Sequence, residues 1–191
     1  MTIMKQLVKE AEKLALYEIR KYGMPSLDNL ELSNRKGKEL AERLGANSDI
    51  VGIGTNLMDI KLGQAFSEGK ISEHVAMSSA AAKEFLSGFG LGKDITEKII
   101  NCVEGHHDTK KWVCKEAEIC ANADCYRFLQ VRSWLAYVTD LGKRNMGLQE
   151  ILNQAEKKAN EKWNILSLDI CKKELEPQYR LIKDIIKKAG E

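Results

Sequence analysis

The sequence predicts an all-helical fold, and three observations predict it. Apolar residues recur at the 3.6-residue spacing of one helix face, no segment sustains the alternation of a half-buried strand, and only two prolines interrupt the 191 residues. A chain of this length buries a full core in one domain, whereas two halves would each be weakly stabilised. The expectation is therefore a single compact helical bundle covering residues 1–191.

About seven helices follow from the periodicity and its punctuation. The first runs over residues 2–22 and ends at Gly23, with Pro25 blocking continuation. Ser26 or Asp28 caps the second, which runs through Leu40, Ala41 and Leu44 to Gly45. Ser48 or Asp49 opens a third with Ile50, Ile53, Leu57 and Ile60 on one face, followed by a loop holding Gly63, Phe66 and Gly69. Ser72 begins a fourth that stops in the glycines around Phe89, and Asp94 caps a fifth that delivers His106 and His107 at its end. A sixth extends from Glu116 to about Leu141 with a break near Arg132–Trp134. Gly147 precedes a seventh through Ile151, Ala155, Ala159 and Trp163, and Pro177 should interrupt the tail.

Composition excludes several classes of protein. Thirty Lys and Arg against 28 Asp and Glu leave a net charge of +2, with the signs interspersed, so bulk electrostatics indicate neither a nucleic-acid nor a membrane partner. No apolar run reaches the ~18 residues of a membrane-spanning helix. The first residues show no secretory pattern, which predicts a cytoplasmic protein. Five cysteines without a C-x-x-C pair read as reduced, mostly buried thiols. No Walker loop, nucleophile elbow or dinucleotide fingerprint occurs, and Gly52-Ile53-Gly54 lacks the strand-then-helix setting such a loop needs.

The informative residues are titratable groups on faces that should be apolar. His74 shares a face with Met77, Ala81 and Phe85, Asp124 with Ala117, Cys120 and Phe128, and Asp59 lies between Met58 and Ile60. A lone inward His is ordinarily a hydrogen-bonded core residue, and His106 and His107 alone would read as solvated helix-end residues. An inward carboxylate needs a cation, so Asp124 requires either a metal or a salt bridge, with Arg127 or Lys115 as partners. Inward polar groups on three helices with a His pair ending a fourth are the materials of a metal site in a bundle.

The order of these groups resembles the HD superfamily of metal-dependent phosphohydrolases. Asn56-Leu57-Met58-Asp59-Ile60 looks like the family's leucine-rich His-Asp segment, and Glu73-His74-Val75 like the start of its next helix. The segment ending in His106-His107 is similar to its later His pair, and Ala121-Asn122-Ala123-Asp124 to the stretch ending in its last metal-binding Asp. The resemblance covers about residues 28–130, leaving helices over 2–22 and 146–189 as flanks. It implies an all-α fold of HD type and hydrolysis of a nucleotide or other small phosphate ester. It also implies a divalent metal ion (Mn, Fe, Mg or Zn) bound among Asp59, His74, His106, His107 and Asp124.

Two departures stand out. The doublet's His position is Met58, and counting back from Gly45 puts the early His position at Asn29. One metal on Asp59, His74 and His106, with His107 as the alternative, is then favoured over two. Under the resemblance Asp59 is a ligand, Asp124 orients or deprotonates water, and Glu73 is a weaker candidate base. Lys61, Lys110, Lys111 and Arg127 are weak candidates for substrate phosphate. The alternative function is a catalytically degenerate member that binds a ligand or partner. The long amphipathic C-terminal helices offer either a homodimer surface or closure of the monomer's own core.

Overall fold

A computed structural model describes residues 2–107 and 112–190. Among them are ten α-helices and no strand. The chain divides into two compact units, Met1–Ala123 and Asp124–Glu191.

In the first unit α1 (Ile3–Tyr22) starts where the Thr2 side chain accepts from the Lys5 amide, and ends at Gly23 with φ 76°. A left-handed residue there closes the last turn without a Cβ penalty. Helix α2 (Leu27–Leu44) is capped by Ser26 and ends at Gly45 with φ 64°. Helix α3 (Ser48–Leu57) is capped by Asn47, whose side chain accepts from the amides of Asp49 and Ile50. Ser48 and Asp49 thus lie inside the helix, one and two positions after its cap. α3 is the central element, packing against α1, α2 and α6 (Lys93–Glu104). Its Val51, Ile53 and Leu57 are fully buried, as are Leu7 and Ala11 of α1 and Ile99 and Val103 of α6.

The stretch read as a loop after Asp59 contains a short helix, α4 (Leu62–Ser67), and a 3-10 turn, Ile71–Glu73, leads into α5 (His74–Ser87). At six residues, α4 is too short for apolar periodicity to register. The cap of α6 is Gly92 rather than Asp94, which instead sits in its first turn and pairs with Lys98 at 2.8 Å. α7 (Lys115–Leu129) contains the unit boundary, since Asp124 opens the second unit.

In the second unit the expected break of the sixth helix falls at Gln130, which caps α8 (Val131–Gly142). α8 packs with α9 (Leu148–Ile165) and α10 (Asp169–Ala189), burying Trp134, Leu141, Ala155, Ala159, Leu175 and Ile182. Pro177 does not interrupt the tail: it lies inside α10. Its ring removes the bond to the carbonyl four residues back, at a place where Pro177 and Lys173 are both exposed.

Candidate metal centre

Asp59 follows the end of α3 in a turn where its carbonyl accepts from the Leu62 amide at 3.0 Å. That turn leaves the carboxylate 8% exposed, facing the start of α5 and the end of α6. His74 opens α5, and its Nδ1 lies 2.7 Å from the Ile71 carbonyl of the 3-10 turn. His106 follows α6, and its Nδ1 lies 2.7 Å from the Val103 carbonyl. A carbonyl only accepts, so both Nδ1 atoms carry the proton and both Nε2 atoms face away from the backbone.

Those two Nε2 atoms converge on one oxygen. His106 Nε2 stands 3.3 Å and His74 Nε2 3.6 Å from Asp59 Oδ1. His107 completes the group, its ring centroid 4.4 Å from that of His106 and 4.9 Å from that of His74. One donor atom from each of Asp59, His74, His106 and His107 lies within 4.8 Å of the other three. The His106 side chain has no exposed surface and that of His74 keeps 12%. Gly105 positions the pair: a Cβ there would stand 2.8 Å from the Asn101 carbonyl oxygen, and the Trp112 indole N–H donates to the Gly105 carbonyl at 2.9 Å.

The donor set fits a divalent transition ion. Imidazoles whose outer N–H is tied to a carbonyl are oriented and made more basic toward a cation, and a carboxylate supplies the countercharge. Two neutral imidazoles would otherwise aim lone pairs at one carboxylate oxygen, an arrangement that a shared proton or a cation relieves.

The other candidate residues have partners of their own or lie outside the described residues. Glu73 is exposed and lies outside the four-residue group. Lys61 Nζ pairs with the buried Glu18 of α1 at 2.8 Å. Lys110 and Lys111 lie outside the described residues. Asn29 sits half-buried in the first turn of α2, its amide donating to Ser26 Oγ at 3.4 Å, while Met58 is 1% exposed at the C-cap of α3.

In the second unit Asp124 is 1% exposed and meets two cations, Arg127 Nη1 at 2.8 Å and Lys162 Nζ at 2.6 Å. Arg127 is one of the two salt-bridge partners read from the sequence; Lys115 instead donates to the Leu44 carbonyl at 2.9 Å. Lys162 was missed, although a signal existed: it falls on the buried stripe of Ile151, Ala155 and Ala159 in α9, a lysine at an apolar position. All five cysteines are free thiols, four of them buried, and burial pushes the Cys125 thiol well up, away from a nucleophilic thiolate.

Fold and cluster together define the class: an all-α helical protein with an Asp-His group able to hold a metal. No family model and no curated protein matches the chain. Among solved structures, Bacillus subtilis YpgQ is similar with a TM-score of 0.70 at 13% identity, over 98% of this chain and 95% of that one. A structural-genomics protein from Lactobacillus plantarum gives 0.74 at 14%, covering 98% and 96%. A predicted HD superfamily hydrolase from an uncultured Thermotogales bacterium gives 0.59 at 16%, covering 83% and 86%. At these identities the likeness establishes the fold. No helix among the described residues is long and apolar enough to cross a membrane.

Proposed function

We propose that this chain is a metal-dependent phosphohydrolase that acts on a nucleotide or another small phosphate ester and uses one divalent ion. The observation that carries the reading is the convergence of His74 Nε2 and His106 Nε2 on Asp59 Oδ1, with both Nδ1 atoms held by backbone carbonyls. Asp59, His74, His106 and His107 would hold the ion. When bound, it supplies Lewis acidity toward water and toward a phosphoryl oxygen. The chain's own part is to fix the imidazole tautomers, to keep the donors withdrawn from bulk water, and to set the Asp59 charge against the cation. Two imidazoles or more with one carboxylate favour Mn, Fe or Zn over Mg. Asp124 already accepts from two side-chain cations, which supports a centre of one ion rather than two.

The test is metal analysis of protein purified without chelator, followed by phosphate release from a nucleotide panel and p-nitrophenyl phosphate with Mn²⁺ or Fe²⁺. About one ion per chain is expected, falling to background in His106→Ala and His74→Ala. Full metal retention in both variants refutes the ligand set. Metal binding without phosphate release from any substrate rejects the hydrolase and leaves a ligand-binding module of the same fold.

A further inference from the structure

Two consecutive serines of α5 reach the other two segments that carry candidate metal ligands. Ser78 Oγ accepts from the Lys61 amide at 3.1 Å, in the turn that follows Asp59. Ser79 Oγ donates to Glu104 Oε1 at 2.5 Å; Glu104 is the last residue of α6, two positions before His106. Helix α5 itself opens with His74. A helix turns about 100° per residue, so neighbouring side chains meet different partners, and Ser78 falls one turn beyond His74 on the same face.

The bonds already described at the two histidines are local. His74 Nδ1 is held by Ile71 and His106 Nδ1 by Val103, each within its own segment. They orient the rings but leave the distance between segments open. A working metal site tolerates only about 0.5 Å of error in donor position. Bonds that cross between the segments therefore matter, and the two serines make them. Both are withdrawn from water, Ser78 fully and Ser79 at 4% exposure. The Ser79 bond is charge-assisted and short, the strong form of a hydroxyl bond. Lys83 reaches the same Glu104 oxygen at 3.2 Å, but with side chains 58% and 47% exposed that pair is screened and adds little.

We propose that Ser78 and Ser79 are positioning residues of the metal centre, which set the spacing of Asp59, His74 and His106 from within α5. The proposal rests on the metal-centre reading and leaves the identity of the substrate aside. Ser78 holds the Asp59 turn against the His74 helix, and Ser79 holds the end of α6 against it. Neither hydroxyl needs to touch the ion.

Co²⁺ titration of the chelator-treated full chain, read by visible absorption and by competition with a chelating dye, tests the proposal. Ser79→Ala should weaken Co²⁺ about tenfold, the lower range for loss of an outer partner of a metal ligand, and should shift the absorption bands. Glu104→Gln keeps the accepting oxygen and drops the charge, so it should bind Co²⁺ much as the wild type does. Glu104→Ala should match Ser79→Ala. The reverse pattern, with Ser79→Ala unchanged and Glu104→Gln weakened, would mean that Glu104 acts only through its charge and overturns the proposal. So does a loss of stability in Ser79→Ala with affinity and bands unchanged, which marks a bond that is merely structural. Ser78→Ala should also weaken Co²⁺, and unchanged affinity there overturns the role of Ser78. Should Ser78→Ala fail to fold, the variants at the Ser79–Glu104 bond decide, because Glu104 is half exposed. A wild-type chain that takes up no ion refutes the metal centre instead. The positioning is then judged in the metal-free chain by the nuclear Overhauser effect between the His74 and His106 rings, whose centroids stand 6.0 Å apart. It should weaken in Ser79→Ala, and an unchanged effect overturns the proposal.

Discussion

A lysine with no exposed surface is costly unless a carboxylate meets its charge, and in Lys162 that carboxylate is Asp124. Burial opposes the charge, and Asp124 outweighs it, holding the Lys162 pKa above its ordinary value. The folded value is thus the higher one. The pair's stabilisation is complete below the unfolded lysine value of about 10.4 and is lost as pH rises above it. Urea midpoints measured across alkaline pH should fall more steeply above about pH 10.4 in the wild type than in Lys162→Met. At neutral pH Lys162→Met should cost about 3–5 kcal/mol by leaving a buried carboxylate short of a cation. Adding Asp124→Leu should restore part of that loss, and a double variant no more stable than the single one would contradict the coupling. Asp59 and His74 were legible because each is a polar residue out of keeping with its own local pattern, whereas His106, an ordinary helix-end residue by itself, was legible only as part of the set. Lys162 obeyed the same rule, but its partner lies far along the chain, and sequence neighbours such as Lys115 competed for the assignment.

Helix α3 shows how an element sets a site. Its glycines let neighbours close in: a Cβ on Gly54 would stand 2.5 Å from Cys102 Cβ of α6 and 2.9 Å from Cys120 Sγ of α7. The approach of α6 matters because α6 carries His106 just beyond its C-terminus, opposite the Asp59 that follows α3. Gly54→Ala should destabilise the chain by about 1–3 kcal/mol through overpacking, measured by urea denaturation. Metal affinity in this variant should fall with it, and unchanged stability would mean that α6 yields freely. Small-residue packing was readable in Gly52-Ile53-Gly54, whereas the helices meeting there were not. Capping followed the same division: Gly23 and Gly45 end their helices where punctuation put them, but Asn47 rather than Ser48 or Asp49 caps α3. Adjacent cap-competent residues differ only in backbone conformation, which packing selects.

For the molecule, a metal that binds only the folded chain adds to its stability by mass action. At free Mn²⁺ or Zn²⁺ about a hundredfold above the dissociation constant, the gain is about 2.7 kcal/mol. Thermal melts should therefore show a higher Tm with metal than with chelator, and Asp59→Asn should remove most of the difference. An equal metal-induced shift in Asp59→Asn would mean the ion binds elsewhere.

The sequence by itself determined that the chain is helical, where most helices begin and end, and that inward Asp and His residues occur in an HD-like order. Those are properties of local periodicity and residue type. The tertiary structure decided which of the polar groups meet. Asp59, His74, His106 and His107 share one cluster, whereas Lys61 is drawn to Glu18 and Asp124 to Arg127 and Lys162. The physical reason is that a buried charge is satisfied by whichever partner folding brings within about 3 Å. Helix periodicity fixes the direction of a side chain but not its partner.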